Sequence, residues 1–169
     1  SQVANSYIIS AGLINIASNA TLQAISTGSI NLSGTSGTLF TNNGTFTQAS
    51  SNVTVVSSSG SPTLTAGSSI TFYNLTINSA STVINSGIAF TVNNNLTITS
   101  GVLNSASKIT GPGGGGGVFS VGSGATFCIG GSTSATNSTC NSSTTQTSSV
   151  VLPTFQTYSF NTASNIRYL

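Results

Sequence analysis

The tetrapeptide Asn74-Leu75-Thr76-Ile77 returns unchanged as Asn95-Leu96-Thr97-Ile98, and this repetition limits what the chain can become more than any other feature. Around the second copy Ile88, Phe90, Val92, Leu96 and Ile98 all fall on even positions, broken only by Asn94. A period of two is the mark of a strand with one buried face. The first copy changes phase, because Ile70 and Phe72 are even while Leu75 and Ile77 are odd, so a bulge or corner is expected near Tyr73-Asn74. Upstream, Asn52-Val53-Thr54-Val55 and Asn31-Leu32-Ser33 match the same pattern, spacing the four asparagines 21, 22 and 21 residues apart. In each copy the Asn and the Thr or Ser two residues on share one face, and the aliphatic residue between them points to the other. The chain is a repeating β unit with a core face and a face of amides and hydroxyls.

What holds that polar face in water is unusual. The 169 residues contain one Lys (Lys108), one Arg (Arg167) and no Asp, Glu or His, where a soluble domain normally has about a quarter of its residues charged. Solubility falls to 33 Ser, 27 Thr and 18 Asn. No apolar run approaches the roughly 20 residues of a spanning helix, so no membrane span is expected. The alternating Ile, Val, Leu and Phe argue against disorder, and the dominant β-branched, Ser, Asn and Gly residues are poor helix formers.

The same composition narrows function. General acid/base catalysis normally draws on His, Asp or Glu, so an enzyme is not expected; a Ser/Lys pair through Lys108 is the one formal exception, and a Lys108–Asn isopeptide cross-link lacks the carboxylate that assists such reactions. No metal site or cofactor is expected, since two cysteines cannot complete a ligand set. The run Gly113 to Gly117 lacks the Gly-Lys-Ser/Thr of a phosphate loop and is expected to be a linker or a close backbone contact. Two cationic side chains give nucleic acid no electrostatic hold. Stability depends on pH only where folded and unfolded chains bind different numbers of protons, so folding should be almost indifferent to acid.

Cys128 and Cys140 flank a loop of exposed-turn composition, and a disulfide between them would contribute roughly 3 kcal/mol and favour an oxidising, extracellular setting. With no Met and no basic-plus-apolar leader before Ser1, a secretory signal peptide is expected to have been removed. Eight Asn-x-Ser/Thr sites, at Asn19, Asn31, Asn43, Asn52, Asn74, Asn95, Asn137 and Asn141, are candidates for N-linked glycans. Asn43-Gly44 is expected to be a hairpin turn. Val3, Tyr7, Ile9, Ala11 and Leu13 make residues 1 to 17 an apolar strand, either the first of its own sheet or one that completes another subunit's sheet.

Two architectures fit a 21-residue unit: one coil of a β-solenoid, or one hairpin of a β-sandwich. In a solenoid equivalent asparagines stack about 4.8 Å apart, too close for a glycan on each, so dense glycosylation favours the sandwich. An apolar N-terminal strand, dense Asn-x-Ser/Thr sites and no acid-titratable groups together resemble the subunits of archaeal threads, glycosylated filaments built from pilin-like heads. The resemblance implies an Ig-like β-sandwich head over residues 18–169 that lacks one strand. Residues 1–17 of a neighbour would supply it, with Val3, Tyr7, Ile9, Ala11 and Leu13 as the donor strand. Identical subunits would join head to tail into an extracellular, adhesive cell-surface filament. The second expectation is a solenoid segment of a secreted adhesin or surface-layer protein. A third, an ice-binding surface, is suggested by Thr45-Phe46-Thr47, Thr63-Leu64-Thr65 and Thr97-Ile98-Thr99, whose spacing is not regular.

Overall fold

A computed structural model of the chain describes residues 7–105, 108–129 and 152–168. In chain order, β1 (Ile8–Ala11), β2 (Ile14–Ile16) and β3 (Thr21–Gln23) form a first coil, followed by β4 (Ser29–Leu32), β5 (Thr38–Asn42) and β6 (Thr45–Thr47). Next come β7 (Asn52–Val55), β8 (Thr63–Gly67) and β9 (Ile70–Phe72), then the long β10 (Asn74–Gly87) with β11 (Phe90–Val92). The coils continue with β12 (Leu96–Asn104) and β13 (Ile109–Thr110), then β14 (Val118–Val121) and β15 (Thr126–Ile129), and finally β16 (Thr157–Phe160) and β17 (Asn165–Tyr168).

Every strand pair among the described residues is parallel and joins one coil to the next. A first sheet runs β1-β4-β7-β10-β12-β14-β16. A second runs from β2 through β5, β8, the distal parts of β10 and β12, and β15 to β17. The third side carries β3-β6 and β9-β11-β13. Seven stacked strands at about 4.8 Å give the first sheet a height of roughly 29 Å.

This is a β-solenoid, and it corrects the expectation of a pilin-like β-sandwich. A sandwich is assembled from antiparallel neighbours, whereas here strands of mostly three to five residues turn a corner after each side and return one coil later. Asn43-Gly44 is accordingly a corner between β5 and β6, not a hairpin turn. Gly44 is needed there because a Cβ would meet the Ala17 and Ala20 carbonyls of the coil before. The phase change at Tyr73-Asn74 is likewise a corner, between β9 and β10.

The apolar N-terminal stretch is part of this body. β1 pairs in parallel with β4 of its own chain, Ile9 opposite Ile30 and Ala11 opposite Leu32, and β2 pairs with β5. A donor strand lent to a neighbour, and with it the head-to-tail pilus-like filament, is therefore corrected: the strand already has a place in its own sheet, and position 17/18 falls at a corner of the first coil. Tyr7 (58%) and Leu13 (58%) are exposed, Ile9 is at the open edge, Ala11 is half-buried, and Val3 lies outside the described residues.

The register also revises the repeat. Asn52 and Asn74 are opposite each other, and Leu75 opposite Leu96 sets Asn95 on the next rung, but Asn52 faces Ser29 and Asn31 faces Thr54. Asn31 thus stands one inside-outside period beyond the other three. Inside, Ile30, Val53, Leu75, Leu96 and Phe119 form one column and Leu32, Val55, Ile77, Ile98 and Val121 another, all fully buried. Phe40, Phe46, Phe72 and Phe90 add an edge-to-face aromatic chain, with centroids 4.9 Å apart for Phe40–Phe46 and 5.5 Å for Phe72–Phe90. Such geometry contributes about 0.5–1.5 kcal/mol per pair beyond the burial itself.

Candidate functional site

Alternation in the first sheet turns every second residue outward, and parallel stacking aligns those residues from coil to coil. One outward column is Ser10, Asn31, Thr54, Thr76, Thr97, Ser120 and Ser159. It is a line of hydroxyls and one amide without an ionisable group. Beside it runs the asparagine column. Asn74 Nδ2 donates to Asn52 Oδ1 at 2.8 Å, and Asn74 Oδ1 accepts from Asn94 Nδ2 at 2.8 Å and from the Asn95 backbone N–H at 3.2 Å. Asn95 Oδ1 in turn accepts from the Val118 backbone N–H at 2.9 Å. Four successive coils are tied together by amides at one corner.

Hydroxyls tie the interior in the same way. Ser79 Oγ donates to the Val55 carbonyl at 3.2 Å and Ser105 Oγ to the Cys128 carbonyl at 2.8 Å, both buried. Ser100 Oγ donates to Asn78 Oδ1 at 3.0 Å on the outside. A chain with only two charged side chains still satisfies its buried polar groups because each rung supplies donors at the spacing the next rung needs. Among the described residues Asn42 is the exception: its Oδ1 is buried with no partner.

The sequence-derived sites distribute as follows. Asn19 is exposed, in the left-handed conformation (φ 67°) at the corner between β2 and β3, and Asn43 is exposed at the corresponding corner one coil later. Asn31, Asn52, Asn74 and Asn95 lie on the first sheet or its corner, and Asn137 and Asn141 are outside the described residues. Cys128, on β15, is fully buried and not free; Cys140 is outside the described residues. Lys108 Nζ donates to the Gly87 carbonyl at 2.6 Å, which gives the ammonium a structural partner one coil away. Gly113 to Gly116 meet open space, while a Cβ on Gly117 (φ 73°) would run into the Asn94 carbonyl, so that run ends in a close backbone contact.

The three Thr-x-Thr segments fall on three different sides, in β6, β8 and β12, and so form no common array. A groove of about 520 Å³ crosses the outer surface near the last coils, lined by Thr97, Thr99, Ser120, Ser159, Asn161 and Thr162 among others. Among the described residues no three His, Cys, Asp or Glu side chains come together as a metal site. No described helix is long and apolar enough to cross a membrane. The stacking of Asn52, Asn74 and Asn95 follows the spacing that the solenoid alternative gave them, while the displacement of Asn31 from that column and the use of Asn94 beside Asn95 leave no trace in the period. The Asn93-Asn94-Asn95 triplet was the available signal.

No protein-family model, characterised protein or solved structure matches the chain.

Proposed function

We propose that the chain is a scaffold segment of a secreted adhesin or surface-layer protein, working outside the cell as a rigid β-solenoid. The observation that carries this reading is the outer face of the first sheet. It presents hydroxyl and amide side chains in register over seven strands, with no group that changes charge between acid and neutral pH. Such a surface offers many weak, repeated hydrogen bonds and no reactive centre. No catalytic role is proposed, since Lys108 is engaged by the Gly87 carbonyl.

The two ends of the solenoid favour a segment of a longer assembly. Of the large apolar side chains exposed among the described residues, Tyr7, Ile8, Ile9 and Leu13 belong to the first coil and Tyr158, Phe160 and Tyr168 to the last, with Val56 alone between them. Further coils would cover them and continue the parallel sheets, whose open edges otherwise invite pairing. Antibodies raised against the chain test the location: they should label intact cells of the producing organism as strongly as permeabilised ones. Labelling only after permeabilisation would overturn the reading.

A further inference from the structure

We propose that the secreted chain takes N-linked glycosylation at the solenoid corner that carries Asn19 and Asn43, and stays unmodified at Asn74, whose Nδ2 is the donor in the asparagine ladder. The inference rests on the extracellular reading above and adds to it which amides meet the glycan-transfer machinery. Five sites of identical local sequence type are separated by what their amides do. In the ladder, Asn74 Nδ2 is a donor to Asn52 Oδ1, and the carbonyl oxygens of Asn52, Asn74 and Asn95 each accept from the coil that follows. Neighbouring rungs lie about 4.8 Å apart, which leaves no room for a sugar on each.

Asn19 and Asn43 differ from Asn74 on every count. Both are exposed, both occupy the turns between the second and third sides, and neither is in a strand. Asn19 has the left-handed backbone of a tight turn. A surface turn is the usual setting of an acceptor site. In the transfer, a bond forms between Asn Nδ2 and the anomeric carbon of an oligosaccharide carried on a polyprenyl phosphate or diphosphate. The bond from that carbon to the phosphate oxygen breaks, the lipid phosphate leaves with the electron pair, and one amide proton is lost to solvent. At Asn19 or Asn43 no hydrogen bond of the described fold is given up. At Asn74 the substituent would stand where the ladder closes on Asn52.

The test is secretion of the whole chain from yeast, enzymatic removal of the glycans in heavy-oxygen water, and mass mapping of each Asn-containing peptide. The secreted and the retained intracellular protein are compared. In the secreted protein at least one of Asn19 and Asn43 should be occupied, and occupancy at Asn74 should be lower by about tenfold or more, the ratio set by one lost hydrogen bond at the upper end of the usual range. Chains modified at Asn74 before folding should collect in the retained fraction. Comparable occupancy at Asn74 and at the corner sites in the secreted protein would overturn the proposal, as would a corner with both Asn19 and Asn43 empty. The host supplies secretion here, so neither result bears on where the native protein resides, which antibody labelling reads.

Discussion

At the scale of single residues, the chain replaces charge with amides and hydroxyls that work between coils. Asn74 is the most connected, donating once and accepting twice. Asn74→Ala leaves the Asn52 acceptor and the Asn94 and Asn95 donors without it, and should lower unfolding stability by about 1–3 kcal/mol. Asn31→Ala, on the open face, should change it by less than about 0.5 kcal/mol. Urea titration of the two variants reads the difference directly. Asn42 invites the opposite change. Its Oδ1 is buried and unpaired, and its rung neighbour is the buried Ile16. Asn42→Leu should therefore raise the urea midpoint, by an equivalent of about 1–2 kcal/mol.

At the scale of elements, the strands are short enough that none is stable alone, and each depends on the coil above and below. The aromatic chain shows how the sides communicate, since Phe72 on the third side touches Phe40 on the second and Phe90 on the next coil. Phe72→Ala should cost about 3–5 kcal/mol, measured by thermal or urea unfolding, because a fully buried ring in a one-coil-wide core leaves a cavity that no second layer can fill. The buried face was legible in advance at Phe90, Val92, Leu96 and Ile98, but the corner at Asn93 to Asn95 between β11 and β12 falls inside what reads as one alternating run. The direction of pairing was not legible. Period two states which face is buried and is silent on whether the neighbouring strand is the next in sequence or the one 21 to 23 residues away.

At the scale of the whole molecule, stacked repetition has two measurable consequences. Deleting residues 74–94 joins Tyr73 to Asn95 and removes one coil in register, because Leu75 and Leu96 occupy equivalent rungs. Such a variant should keep the β-type circular dichroism and cooperative melting of the parent, while deletion of half that length should abolish both, since it would turn core residues outward and break every later corner. The second consequence is electrostatic. With no carboxylate or imidazole side chain, folded and unfolded states bind the same number of side-chain protons from about pH 3 to pH 7. The unfolding midpoint should stay constant across that window, where ordinary domains lose stability as paired carboxylates protonate.

The amino-acid order alone settled that this is an all-β chain with one apolar and one hydroxyl-and-amide face, repeating at about 21 residues, because side-chain alternation and the absence of carboxylate and imidazole side chains are local properties that no fold can alter. Only the tertiary structure decided that the repeat closes into a parallel coil rather than a hairpin, that the first strand lies in its own sheet, and that Asn52, Asn74 and Asn95 face one another while Asn31 does not. Those outcomes depend on which backbone edge each strand meets across the 4.8 Å gap, and a one-dimensional pattern with the same period in both architectures cannot carry that choice.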